Sequence, residues 1–278
     1  MTKITLIAEI GINHNGEIEL AKKLIDQAVE EKWDIVKFQK RDVDVVVPKE
    51  FWNNKLIYKN GNLIDYIDYK RRIEFGEKEY DIIDKYCREK NIDWFASAWD
   101  SNSLKFLRKY ALKYNKVASA LLTNKRFLED VAREGKITFI STGMSTLKDI
   151  DNAIDIFNTY GCKYIVMHCT SIYPCPPDKL NLSLIKFYKD RYKSEVGYSS
   201  HFPGILDAPL SVVFGARYIE KHITLDRAMW GSDQSASLER LGMKYIRRDV
   251  DLVEEMIGKA EKVFYNEEKE KAKRLRYW

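Results

Sequence analysis

Short apolar runs alternate with segments of helical period along most of the 278-residue chain. ITLIAEI (4–10), DIVKFQ (34–39), DWFASA (93–98), KVASA (116–120), ITFIST (137–142), YIVMHC (164–169), EVGYS (195–199) and RYIEKHI (217–223) are short runs between turn signals, so they read as strands. Between them LAKKLIDQAVEE, EKEYDIIDKYCREK, TLKDIDNAIDIF and SLIKFYKDRY repeat their apolar residues at three and four, the spacing of one helix face. Eight strand–helix units in a chain of this length predict an α/β protein, a (β/α)8 TIM barrel forming a single domain over 1–278. The competing arrangement, an open doubly wound sheet, wants a Gly-rich phosphate turn after its first strand, and GINHNG lacks GxGxxG spacing.

Two segments exceed a minimal barrel. A long Tyr-rich insertion at about 40–75 follows the second strand, and loops of that length are usually functional lids or carry structure of their own. A C-terminal helix is predicted at about 240–276, where Ile246, Val250, Val253, Ile257, Ala260 and Phe264 form an apolar stripe that packing on the barrel would explain.

Composition removes several classes of function. The net charge of +5 comes from 47 basic and 42 acidic residues that are mostly interspersed, which suits a solvated surface better than a nucleic-acid groove. No apolar run approaches the roughly 18 residues of a membrane span, and MTKITLIAEI enters a strand pattern directly, so a cytoplasmic protein without membrane partners is expected. Cys87, Cys162, Cys169 and Cys175 are scattered, with no CxxC pair, and read as free thiols.

Barrel active sites gather at the C-terminal ends of the strands. Those ends carry Glu9, Lys37 and Gln39, Ser97, Ser119, Ser141 and Thr142, His168, Ser199 with His201, and Glu220 with His222. The four histidines, His14, His168, His201 and His222, all fall at or just beyond a strand end, which points to one functional rim. Two imidazoles on neighbouring strands can share a divalent ion and leave positions open for water and substrate. Glu220 lies two residues before His222 and so faces the same side, where it could orient a ligand or pair with Lys37 or Lys116. Those two lysines, with Ser119, Ser141 and Ser199, describe a seat for a phosphate or carboxylate, because buried ammonium groups are costly unless an anion meets them.

In order, AEIGINHNG, DIVKFQK, FASAWD, STGM, HCTSIYPCPPDKLNL, VGYSSH, IEKHIT and GSDQSASLE resemble the catalytic barrel of the sialic acid and related nonulosonate synthases over about residues 4–240. The resemblance implies condensation of phosphoenolpyruvate with an aldose, releasing phosphate and forming a 2-keto sugar acid. It implies that His201 and His222 hold Mn2+ or Mg2+, which polarises the aldehyde for attack by C3 of phosphoenolpyruvate while water adds at C2. Lys37, Lys116, Ser119, Ser141 and Ser199 then match the phosphoenolpyruvate site, and Ser171 is expected to line it as well. Gln39, Tyr173 and Asp233 match positions that hold the acceptor, and Glu9 and Glu220 match acidic residues of the rim. The expected partners are phosphoenolpyruvate and an aldose, with a homo-oligomer left open. The chain departs from the family pattern at Leu121 (an acidic acceptor contact in the family), Ser171 (Asn), Ser200 (Asp) and Ala98-Trp99 (Thr-Pro), and its pattern lacks the family's C-terminal antifreeze-like domain, which lends an Arg to the acceptor site. Most departures fall on the acceptor side, which implies the same reaction with a different, smaller or less acetamido-dependent acceptor. A different metal-dependent lyase or aldolase on the same barrel, and a degenerate sugar-phosphate-binding homologue, remain as alternatives.

Overall fold

Alternation along each strand decides what this chain builds, because successive side chains point to opposite faces. In a computed structural model, which describes residues 3–278, the strands are β1 (Thr5–Gly11), β2 (Ile35–Lys40), β3 (Lys55–Ile57), β4 (Leu63–Asp65), β5 (Asp93–Ala98), β6 (Tyr114–Val117), β7 (Ile137–Ser141), β8 (Tyr164–Cys169), β9 (Val196–Ser200) and β10 (Tyr218–His222). Eight of them form one parallel sheet in the order β5-β2-β1-β10-β9-β8-β7-β6, and β5 lies against β6 to bring the barrel nearly closed. The expected (β/α)8 architecture is the observed one.

Inside the barrel, Ile7, Ile35, Phe95, Phe139, Ile165 and Met167 form a dry lower plug with Tyr114 and Tyr218 against it. Outward-facing residues of the same strands, such as Leu6, Val36, Ile140, Val166 and Ile219, meet the helices in the main core. The helices supply matching stripes: Ile18–Glu30 buries Ala21, Leu24, Ile25 and Ala28, and Leu147–Thr159 buries Ile150, Ala153, Ile154 and Phe157. The second of these starts where Thr146 and Asp149 cap each other reciprocally, which satisfies backbone N–H groups the first turn cannot pair.

The insertion is structured. It holds a short helix (Val43–Val46), a two-stranded hairpin of β3 and β4, and a helix (Tyr66–Ile73), tied down by two small apolar clusters around Ile64, Tyr69 and Ile73 and around Val43, Val47 and Ile67. Trp230, from the loop after β10, donates its indole N–H to Ile57 O at 3.1 Å and packs against Tyr58 and Tyr69. At Gly16, φ is +77° and a Cβ would stand 2.2 Å from Arg72 O, so only glycine lets the insertion's last helix approach the loop after β1.

Two boundaries differ from the sequence expectation. The strand expected at 116–120 ends at Val117, and Ser119–Leu121 turns into a 3-10 helix closed by Leu121 N–H donating to Ala118 O. The single helix expected at 240–276 is two, Arg240–Ile257 and Asn266–Leu275, because Gly258 adopts φ 58° and breaks the first. Its stripe therefore buries Ile246 and Val250 but leaves Ile257 46% and Phe264 45% exposed. Among the described residues, no helix is long and apolar enough to cross a membrane. All four cysteines are free and buried.

Candidate active site

Each barrel strand contributes one side chain to a layer above the apolar plug: Glu9, Lys37, Ser97, Lys116, Ser141, Cys169, Ser199 and Glu220. They sit two residues after an inward-facing plug residue or its equivalent, so strand parity alone delivers them to the centre. They line a cavity of about 240 Å3 whose upper wall includes Gln39, Trp99, Ser119, Ser171, Tyr173, His201 and His222.

The centre of this layer is a four-membered ion cluster. Lys37 Nζ lies 2.9 Å from Glu9 Oε2 and 3.5 Å from Glu220 Oε1, and donates to Ser97 Oγ at 3.1 Å. Lys116 Nζ donates to Glu220 Oε2 at 2.9 Å, and Ser199 Oγ donates to Glu220 Oε1 at 3.0 Å. Burial by itself would raise the Glu220 carboxyl, but the ammonium groups of Lys116 and Lys37 outweigh it and hold it well below the usual carboxylate range. Burial likewise disfavours both charged lysines. Lys37, facing two carboxylates, ends above its ordinary value, whereas Lys116 has Glu220 on one side and the like charge of Lys37 on the other and ends below it. The ion pairing left open for Glu220 in the sequence is thus present with both lysines. Lys37 is saturated by protein partners, while Lys116 donates to one and keeps N–H capacity for a ligand.

Beside Lys116 is a pocket of small polar groups. Gly143 N–H donates to Ser119 Oγ at 3.1 Å, and a Cβ at Gly143 would stand 2.2 Å from Ser171 Oγ and 2.8 Å from Ser119 Oγ. Ser141, Ser119 and Ser171 therefore share one niche with Cys169, which lies 3.9 Å from Ser171 Oγ. Ser199 lines the cavity too, but its proton is committed to Glu220.

The histidines divide by parity. His201 and His222 face inward with ring centroids 5.6 Å apart. Thr170 O accepts from His201 Nδ1 at 2.8 Å, which fixes that proton and leaves Nε2 unprotonated in the neutral ring. His222 Nδ1 is buried without a hydrogen-bond partner, 3.6 Å from Asp233 Oδ2. Tyr173, 51% exposed, lays its ring 3.8 Å from that of His201. Gln39 Nε2 donates to Glu9 Oε1 at 2.6 Å. Asp233 is beside His222 but is not part of the cavity wall.

His14 and His168 do not belong to this rim, which corrects the reading of all four histidines as one set. His168 follows inward-facing Met167 and so points to the helix layer, bonding Leu180 O at 2.7 Å and stacking on Tyr198. Thr142 also faces away, donating to Met167 O. His14 stacks on Phe75 at 3.8 Å and accepts from Gly16 N–H, and burial lowers its pKa to about 3. A histidine held neutral in the fold but free to protonate when unfolded destabilises the protein as pH falls from about 6.5 toward 3, because the unfolded chain then binds the extra proton. The urea midpoint of the parent is expected to fall more steeply between pH 7 and 5 than that of His14→Gln. Parallel profiles would show that His14 is not held neutral.

Sequence reasoning missed Cys169, Trp99 and Arg41. Cys169 is the inward partner of Met167 by strand parity and lies 3.9 Å from His201 Nδ1; burial raises its thiol, and His201 more than offsets this. Arg41, one residue past β2, stacks its guanidinium 4.2 Å from the Trp99 ring and donates to Gln39 Oε1. Leu121, expected to mark the acceptor position, packs partly into the core and faces an adjoining cleft of about 600 Å3 that shares Trp99 and Ala120 with the central cavity.

A parallel barrel with a lysine, a hydroxyl niche and two inward imidazoles gathers these groups at its C-terminal mouth, the end where barrel enzymes carry their active sites. The chain belongs to the NeuB family, whose profile matches residues 24–262. It is 34% identical to the N-acetylneuraminate-9-phosphate synthase of Homo sapiens over 254 residues, covering 91% of this chain and 71% of that protein. It is 33% identical to the N,N'-diacetyllegionaminic acid synthase of Campylobacter jejuni over 265 residues, covering 93% and 78%. Among solved structures, the N-acetylneuraminic acid (sialic acid) synthetase of Leptospira borgpetersenii superposes with a TM-score of 0.86 at 30% identity, over 100% of this chain and 94% of that one. These relatives are sugar acid synthases.

Proposed function

We propose that this protein condenses phosphoenolpyruvate with an aldose, forming a 2-keto sugar acid and releasing phosphate. The observation that carries the reading is the layer in which Lys116 keeps donors free beside the Ser119–Ser141–Ser171 niche, directly below two inward histidines. That combination suits a phosphorylated acid bound next to an electrophile.

In this reading the niche and Lys116 hold the phosphate and carboxylate of phosphoenolpyruvate through charge-assisted hydrogen bonds. Glu220, kept ionised by its lysines, fixes Lys116 and Ser199 in place and presents negative charge to the carbocation character that develops at C2. Glu9 holds Gln39, and Tyr173 flanks His201, on the side where the acceptor enters.

His201 and His222 fit a divalent ion, Mn2+ or Mg2+. Both face the cavity, one ring has its second nitrogen fixed by Thr170 O, and the other has a buried nitrogen lacking any partner. Among the described residues, no group of three or more His, Cys, Asp or Glu could hold a metal, so two imidazoles would leave most positions to water and substrate. When bound, the ion would polarise the acceptor's aldehyde oxygen.

Inorganic phosphate should appear from phosphoenolpyruvate only when an aldose is present. Phosphate release without any aldose would favour a different lyase, and none with any aldose would favour a non-catalytic homologue. A second expectation concerns Gly143→Ala, whose methyl would displace the Ser171 and Ser119 hydroxyls. Phosphoenolpyruvate affinity should fall about 10-fold or more, the equivalent of one or two lost hydrogen bonds. Unchanged calorimetric affinity would mean that the niche is not the anion seat.

A further inference from the structure

The outward neighbours of the two inward histidines are tied to one carboxylate. Ser200 precedes His201 on β9 and Lys221 precedes His222 on β10, and the two are register partners in the parallel ladder, so both side chains leave the barrel on the same side, away from the cavity. There they meet Asp207, the first residue of the helix Asp207–Val213. Lys221 Nζ donates to Asp207 Oδ1 at 2.8 Å, and Ser200 Oγ donates to Asp207 Oδ2. All three residues are buried. Their remaining bonds go to the backbone that follows His201: Phe202 N–H donates to Ser200 Oγ at 3.2 Å, and Lys221 Nζ also donates to Gly204 O at 2.7 Å. The Phe202 ring lies 5.7 Å from the same ammonium. A buried ion pair is a poor source of net stability, because desolvation offsets the attraction. What this one does is join the ends of β9 and β10, the loop between them and the helix to a single side chain.

We infer that Asp207 is a positioning residue for the candidate metal pair: through Ser200, Lys221 and the Phe202–Gly204 backbone it sets where His201 and His222 point, although its own bonds go to neither ring. The inference rests on the reading of those two histidines as metal ligands. Ser200 stands where the family pattern has Asp, and a carboxylate at that position would face Lys221 across one register pair. In this chain Asp207 brings the charge from the adjoining helix, and Ser200 supplies a hydroxyl that links it to the loop. The carboxylate can therefore be moved between the two positions while its hold on Lys221 is kept.

Two readouts on the intact protein test this: Mn2+ titration followed by electron paramagnetic resonance, and hydrogen–deuterium exchange of the 201–206 loop, which needs no metal. Lys221→Met combined with Asp207→Leu replaces the pair by apolar side chains. Its melting temperature should stay near the parent's, while the loop exchanges faster and Mn2+ affinity falls about 10-fold or more, the loss usual for a group that orients a ligand without touching the ion. Asp207→Ser alone should lower the melting temperature as well, because it strands the Lys221 charge. Adding Ser200→Asp to Asp207→Ser should restore melting temperature, loop protection and Mn2+ affinity together. Parental loop exchange and Mn2+ affinity in the apolar pair would reduce the network to a structural role and overturn the inference, as would a relocated carboxylate that restores stability alone. Loop protection that depends on Asp207 in a parent protein that binds no Mn2+ would instead keep the positioning role and sink the metal assignment.

Discussion

The His222→Ala protein should fold as the parent does, bind Mn2+ far more weakly, and lose on the order of 100-fold or more in aldose-dependent phosphate release, since a metal's polarisation of a carbonyl is worth several kcal/mol and each 1.36 kcal/mol is a factor of 10. His222 lies at the inner end of β10, and its Nδ1 is buried without a hydrogen-bond partner, so removing the ring breaks no hydrogen bond of that nitrogen. His201→Ala should behave similarly, with an added disturbance at Thr170, whose carbonyl loses its donor. The control is His168→Gln, because His168 points into the helix layer and holds Leu180 O. It should lower stability and leave Mn2+ affinity intact. Manganese titration followed by electron paramagnetic resonance gives the readout without reliance on activity. Unaltered Mn2+ binding in the His222→Ala protein would rule out this pair as the metal site.

Lys116→Met should cost both stability and phosphoenolpyruvate affinity, and the two losses can be separated. Removing Lys116 leaves Glu220 buried with Lys37 at 3.5 Å as its remaining cation, and breaking a buried ion pair costs roughly 3–5 kcal/mol. It also deletes the ammonium with donors to spare, for about 1.5–3 kcal/mol of lost binding. The double variant Lys116→Met, Glu220→Gln should regain much of the stability by discharging the stranded carboxylate, yet not regain phosphoenolpyruvate affinity. Lys37→Met should show the opposite balance, a larger loss of stability and a smaller loss of binding, because Glu9, Glu220 and Ser97 already occupy its donors. Equal effects on affinity from the two lysines would mean that the ion cluster rearranges around the ligand.

The barrel was legible because its strands keep period two and its helices period 3.6 with little exception, so each local preference agrees with the fold. The polar groups at the strand ends, Glu9, Lys37, Ser141, Ser199 and Glu220, all point inward, as their positions imply. Position near a strand end does not by itself separate the two faces of the strand. His168 shares a strand end with the rim, yet the inward residues of its strand are Met167 and Cys169, so parity assigns Cys169 and not His168 to the cavity. In RYIEKHIT the charges go both ways: Glu220 and His222 turn into the cavity, while Lys221 turns outward to a buried pair with Asp207 at 2.8 Å. No local pattern could reveal that the two lysines of the cavity differ, since the difference lies in carboxylates brought by β1 and β10. The break at Gly258, by contrast, was available as an ordinary glycine stop signal.

The central claim is a bond between phosphoenolpyruvate and an aldose, and the mass of the product tests it most directly. Incubated with phosphoenolpyruvate, Mn2+ and a panel of aldoses, the protein should yield an acid whose mass equals that of the aldose plus phosphoenolpyruvate plus water minus phosphoric acid, three carbons longer than the acceptor. Appearance of pyruvate and unaltered aldose in place of that acid would contradict the account.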